Sequence, residues 1–304
     1  MGRLNRGHFP WHALSGALAL LCALELHAAE QPGRAAIATA HPAATVAGQE
    51  TLALGGNAFD AAVAISAALA VVEPYGSGLG GGGFFLLREA AATPTYRFID
   101  ARERAPLAAH ADLYKVDGEV QKQLSLNGPL AAAIPGLPAA LVELAGRFGR
   151  LPLRDSLAPA IRLARSGVSV DRVYRERAGW RLAALRDDAE SARIFLDRGE
   201  IPAELALLRQ PDLARTLERL GSEGHAGFYQ GELAARLVKG VRAAGGIWTL
   251  EDLAQYRTVE RTPLRVSLQD GRELISAPPP SAGGLALGQS LLMLQQLPWQ
   301  QADS

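Results

Sequence analysis

Six glycines fall within eight residues, 76–83, inside the stretch YGSGLGGGGFFLLREAAATPTYRFIDARERAP that runs from Tyr75 to Pro106. Such a cluster reads as a loop, because glycine weakens the interior of both helices and strands. Glycine suits a loop in two ways: it takes up positive φ, and it lets another backbone or a ligand approach where a Cβ would collide. The apolar run 84–87 follows, then a loop containing Ala90, Thr93 and Pro94, then a second apolar run, 96–99. The two runs predict neighbouring strands. The second delivers the charged segment Asp100-Ala101-Arg102-Glu103-Arg104-Ala105-Pro106 at its far end, where strands hand over to functional loops. No Gly-Lys-Ser/Thr follows the glycines, so this is not a Walker A loop. A strand rather than a helix comes next, which argues against a dinucleotide fingerprint.

Around this stretch the patterns are mainly helical. Residues 35–40 predict a first strand and 42–54 a helix. Asn57 suits an N-cap and Asp60 the first turn of a helix over 58–72. That helix is apolar nearly all round, so it should be buried, and Pro74 stops it. Its alanines permit close packing on a sheet. Further helices are predicted over 135–147, 153–166, 173–186, 210–220 and 232–244, with a short one capped by Thr249 and ending near Tyr256. Alternating charge over 172–198 predicts a solvated face. Residues 262–268 and 272–276 predict a hairpin about Asp270-Gly271, a favoured type I′ pair. A last helix, to about residue 296, follows Pro278-Pro279-Pro280-Ser281. Ser281 sits at a strand-to-helix junction like a nucleophile elbow, but the Gly-x-Ser-x-Gly frame is absent.

At 304 residues the chain is long enough for one large or two ordinary domains. Lys+Arg and Asp+Glu balance at 31 each, with no basic cluster of the kind nucleic-acid binders carry. Residues 1–29 differ from the rest. Arg3, Arg6 and His8 precede an apolar stretch over 13–26, then His27-Ala28-Ala29, the pattern of a secretory signal peptide. This predicts a periplasmic or secreted protein with no stable membrane span after cleavage. A retained N-terminal anchor is the alternative, because His27 makes the cleavage site imperfect. The apolar part is shorter than the ~20 residues a spanning helix needs. The only cysteine, Cys22, lies there, so residues 30–304 hold no disulfide, zinc-thiolate site or cysteine nucleophile. His41, His110 and His225 have no partner at metal-ligand spacing, and no HExxH occurs, so neither a metal nor a cofactor is expected.

Five segments carry a resemblance: GGNAFDAAVAISAALAVVEPYGSGLGGGG (55–83), DARERAP (100–106), IPGLPAALVELAGRFGRLPL (134–153), ERTPLRV (260–266) and APPPSAGG (277–284). Together, and in this order, they resemble the γ-glutamyltransferase (glutathione hydrolase) family, from about residue 35 to about residue 297. The resemblance implies an α+β fold, the αββα four-layer sandwich of N-terminal-nucleophile hydrolases, incomplete in this chain. It implies a precursor that cuts itself before a threonine. That threonine's hydroxyl then attacks the γ-glutamyl amide, with its freed α-amine as base. The implied partners are glutathione or another γ-glutamyl compound, and a small-subunit polypeptide carrying the threonine.

The chain departs from the pattern at one point. No Thr-Thr pair occurs in it; Thr249, Thr258 and Thr262 precede Leu, Val and Pro. Residues 30–304 therefore read as the large-subunit region, ending before the processing site and holding no catalytic residue. The isolated chain is expected to be inactive. It is also expected to be poorly soluble, because missing strands would leave apolar faces open. Arg102 occupies the place of the arginine that the family uses to bind the substrate α-carboxylate, a role suited to the guanidinium fork and not to lysine. An ion pair holding the strand end is the other reading of Arg102. Glu103 orients Arg102 or forms a surface salt bridge, and Arg104 lies on the surface or behind the site. Two alternatives to the enzyme reading remain: an inactive binding or association module, and a cephalosporin-acylase-like amidohydrolase of the same superfamily.

Overall fold

The computed structural model describes residues 35–269 and 271–297. The expected signal peptide, residues 1–29, lies outside them. From Thr39 onward the chain forms one compact unit.

Helix α1 (Pro42–Ala53) starts at His41, whose Nδ1 accepts from Ala43 N. Helix α2 (Ala58–Val72) opens on a reciprocal cap. Asn57 Oδ1 accepts from Phe59 N and Asp60 N, while Asp60 Oδ2 accepts from Asn57 N. Asp60 does more than complement the helix dipole. It is fully buried and also accepts from Arg150 N and Leu151 N, tying the start of α2 to a turn 90 residues away in the chain. The expected burial of α2 is observed over most of the helix, with Val63, Ala64, Ala67, Ala68 and Val71 inaccessible to solvent, while Ala58 is exposed and Phe59, Ile65 and Leu69 are half-buried.

Strands β1 (Gly83–Glu89) and β2 (Thr95–Ala101) pair antiparallel, from Gly83↔Ala101 to Glu89↔Thr95. β2 runs two residues beyond the predicted apolar run, so Arg102 is the first residue past the strand. β3 (Val259–Arg261) pairs with the other edge of β2, giving the order β1-β2-β3. Side chains alternate across the sheet. Phe85, Leu87 and Ile99 face the main core. Phe84 and Phe98 stack on the opposite face at 5.3 Å, where Leu86 is 43% exposed. The helical layer comprises α3 (Leu137–Arg147), α4 (Leu153–Ser166), α5 (Arg172–Trp180), α6 (Leu182–Asp187), α7 (Ala189–Phe195), α8 (Pro211–Glu223), α9 (His225–Tyr229), α10 (Gly231–Ala243) and α11 (Leu250–Ala254). α4 packs against α8, and Leu157, Leu217 and Leu220 belong to one core, all fully buried and each contributing about 2 kcal/mol of burial. Beyond it come the hairpin β4 (Leu264–Ser267) and β5 (Glu273–Ser276), then α12 (Ala282–Leu294).

Three expectations need correction. Residues 35–40 form no strand, because no described strand pairs with them; Thr39 Oγ1 instead donates to the nearby His41 O. The helix expected over 173–186 is two, α5 and α6, broken where Arg181 leaves the helical region at φ −116° and ψ 9°. α7 and α9 were not expected, being too short to show a period. The hairpin forms: Leu268 N donates to Arg272 O and Gly271 takes φ 80°. The three residues between the paired ends are the connection read from the sequence, with Gly271 left-handed; only the type I′ label, which belongs to two-residue connections, does not hold. The chain is mixed helix and sheet, as the α+β expectation has it; among the described residues the largest sheet has three strands and the others have two.

Candidate functional site

The glycine loop leaves α2 and folds over the end of β2. None of its glycines adopts positive φ, so that use of glycine is not the one made here. Close approach is. A Cβ on Gly82 would lie 2.3 Å from Ala101 O and 2.9 Å from Glu103 N. From the other side, a Cβ on Gly136 would lie 2.0 Å from the same carbonyl oxygen and 2.3 Å from Tyr256 Oη. Buried Ala101 is thus gripped between two glycines. Gly81 O also accepts from Gly136 N and Leu137 N, at 2.9 and 3.0 Å, joining the loop to the start of α3.

This grip fixes the residue that follows. Arg102 N donates to Asp100 Oδ1 at 2.9 Å, and Arg102 O accepts from Tyr256 Oη at 2.8 Å. The second oxygen of Asp100 accepts from Arg261 Nε at 2.7 Å. Arg261, not Arg102, is therefore the arginine of the ion pair that holds the strand end. The backbone of Arg102 is tied at both ends while its side chain stays 63% exposed. It borders a cavity of about 630 Å³, with Ser66, Gly78, Phe85, Glu103 and Leu137 among the walls. Its Nη1 lies 3.3 Å from Glu103 Oε2, a buried oxygen that makes no aligned hydrogen bond. The pair is an electrostatic contact that leaves most of the five guanidinium donors without a described protein acceptor. Such a fork can take a carboxylate bidentately.

Arg104 turns elsewhere. Its backbone exchanges two hydrogen bonds with Ile134, its Nη2 donates to Arg257 O, and its guanidinium lies 5.3 Å from the Tyr256 ring centre. It is exposed and is not among the residues that line the cavity, which is the surface position of its two readings.

Tyr256 is the residue that sequence reasoning missed. It ends a stack of three rings: His225 on Tyr229 at 4.3 Å, and Tyr229 on Tyr256 at 5.5 Å and 7°. Tyr229 Oη donates to Pro135 O and accepts from Ala139 N, so the stack is pinned to the segment that carries Gly136. Burial pushes the Tyr256 hydroxyl up to about 12, which keeps it a donor to Arg102 O at neutral pH. Tyr256→Phe preserves the ring and removes only that donor. Thermal unfolding of this variant should show a loss of about 1 kcal/mol, a fall of about 2–4 °C in midpoint.

His41 caps α1, and His110 is exposed. Burial lowers the His225 pKa, and its Nε2 lies 3.0 Å from Tyr256 O. No group of three His, Cys, Asp or Glu side chains among the described residues is arranged to hold a metal. Ser281 occupies the N-cap position of α12 without a side-chain capping bond, and no described hydrogen bond links it to a base.

The chain is mixed helix and sheet, and its structural relatives place it in the class of the N-terminal-nucleophile hydrolases. Over 88% of this chain and 76% of the other, it superposes on the Helicobacter pylori gamma-glutamyltranspeptidase with a TM-score of 0.84 at 36% identity. Over 89% of this chain and 52% of the other, it superposes on a cephalosporin acylase from Bacillus halodurans with a TM-score of 0.76 at 29% identity. A family model described as Gamma-glutamyltranspeptidase matches residues 44–304, and the chain belongs to that family. It is 39% identical to the glutathione hydrolase proenzyme of Pseudomonas sp. (strain A14), over 93% of this chain and 50% of that protein. It is 37% identical to the corresponding proenzyme of Escherichia coli (strain K12), over 85% of this chain and 44% of that protein. The chain thus spans about half the length of the curated relatives it matches.

Proposed function

We propose that this chain is the large-subunit part of a γ-glutamyltransferase or glutathione hydrolase, in which Arg102 holds the α-carboxylate of the γ-glutamyl donor. The observation that carries the reading is the placement of Arg102: backbone tied on both sides, guanidinium open to the cavity. The nucleophilic threonine comes from polypeptide outside this chain. Its hydroxyl adds to the γ-carbonyl, the amide C–N bond breaks, and the amine departs with a proton, leaving a γ-glutamyl ester. Water or an acceptor amine then attacks that ester and restores the hydroxyl.

The face that meets such a polypeptide has support in α12. Leu285, Leu287, Leu292, Met293 and Leu294 are each more than 40% exposed there, more apolar surface than one helix normally shows to water. A periplasmic or secreted location belongs to the same reading. No described helix is long and apolar enough to cross a membrane.

The test is co-expression of this chain with the carboxy-terminal half of the Pseudomonas sp. (strain A14) relative, assayed on a γ-glutamyl anilide. The expected result is anilide cleavage by the pair and none by the chain alone. A folded pair that leaves the anilide intact would reject the reading, as would turnover by the chain alone. Cleavage of a cephalosporin side-chain amide in place of the anilide would favour the acylase alternative.

A further inference from the structure

A second hollow, of about 260 Å³, shares a wall with the cavity at Arg102. Pro74 and Tyr75, which stand between α2 and the glycine loop, line both. The remaining walls come from α5, α6 and α7: Tyr174, Ala178, Leu185 and Phe195 give an apolar and aromatic lining, and Arg177 and Arg181 stand beside it. The hollow is firmly built. Tyr174 packs edge-on to Tyr75 at 6.4 Å, donates its hydroxyl to Phe195 O at 2.6 Å, and belongs to a small core of its own with Val170, Ala178 and Leu208.

The two guanidiniums are the unusual part. Arg177 lies 4.2 Å over the Trp180 ring, and Arg181 donates to the neutral Asn127 side chain at 2.6 Å. Neither forms an ion pair with a described carboxylate, although the arginines elsewhere on α4 to α8 mostly do. Burial, then Glu73 and Asp171, raise the Tyr75 pKa, and Arg177 acts against them. An aromatic slot with two carboxylate-free guanidiniums fits an apolar group that carries a carboxylate.

We propose that this hollow binds an apolar amino acid, or the carboxy-terminal residue of a short peptide, with the side chain among Tyr75, Tyr174 and Phe195 and the carboxylate on Arg177 and Arg181. Its role rests on the γ-glutamyl reading above. The hollow adjoins the cavity in which Arg102 holds the glutamyl group, and the role assigned to it is to receive the amine that leaves the γ-glutamyl group or accepts it. The hollow then selects that amine.

The binding claim stands apart from activity and is tested on the chain itself. Isothermal titration with N-acetyl-L-phenylalanine should give saturable binding with a Kd of about 1 mM. N-acetyl-L-phenylalanine amide should bind at least about tenfold more weakly, because it brings no charge to the guanidiniums. The double variant Arg177→Gln/Arg181→Gln should lose the same factor while keeping the wild-type thermal midpoint, and Arg102→Ala should bind as the wild type does. Absence of saturable binding by the folded chain overturns the proposal, and so does equal affinity for acid and amide. In the co-expressed pair, the double variant should raise the KM of phenylalanine as acceptor about tenfold and leave the donor KM in hydrolysis unchanged. An unchanged acceptor KM overturns the assigned role. A pair with no γ-glutamyl activity removes the γ-glutamyl reading, and with it the role; the calorimetry still decides the site.

Discussion

Arg102→Ala is expected to raise the KM for a γ-glutamyl donor roughly a hundredfold in the co-expressed enzyme, the equivalent of about 3 kcal/mol. The size follows from removing one partner of a charge-assisted, bidentate contact. Stability should barely change. The side chain is 63% exposed and its one ion pair among the described residues is with Glu103, while the hydrogen bonds that fix the segment use the Arg102 backbone. The effect should therefore appear in steady-state kinetics and not in a thermal melt. Arg102→Lys keeps the charge and loses the fork, and its KM should fall between wild type and alanine. A donor KM unchanged in Arg102→Ala would remove the basis of the functional reading.

The second large effect is expected at Gly136. Its backbone, at φ −113° and ψ −31°, is open to any residue, so conformation does not explain the glycine. Space does. A Cβ there would stand 2.0 Å from Ala101 O and 2.3 Å from Tyr256 Oη, and one of the two atoms is backbone at the end of the central strand. Gly136→Ala must push that strand end and the Tyr256 ring apart. The expected loss is about 3 kcal/mol, the upper end of ordinary overpacking, read as a lower unfolding midpoint. Gly80→Ala is the internal control: it lies in the glycine loop with nothing within 4 Å of the added Cβ and should be close to neutral. Equal midpoints for the two variants would show that the grip on Ala101 is looser than these distances require.

Much of the molecule was legible locally. The cap at Asn57 and Asp60, the buried alanine-rich helix ending before Pro74, the antiparallel pair β1 and β2, and the position of Arg102 just past a strand all follow from residues within a few places of one another. Capping, side-chain period and glycine or proline breaks act over that range, so the sequence displays them directly. The break between α5 and α6 was less legible. Arg181 is an ordinary helix former, and what sets it outside the helix is the packing of the 168–208 region around its own small core.

The order of residue types along the chain was enough to determine which side chain is offered at the end of β2 and that a glycine-rich loop precedes β1. Only the folded molecule decided why. Ala101 O is approached from Gly82 on one side and Gly136 on the other, and Arg102 is held by a tyrosine 154 residues distant in the chain. Contacts of that separation are set by how layers pack, and a hydroxyl or a missing Cβ carries no local sign of the carbonyl it will meet.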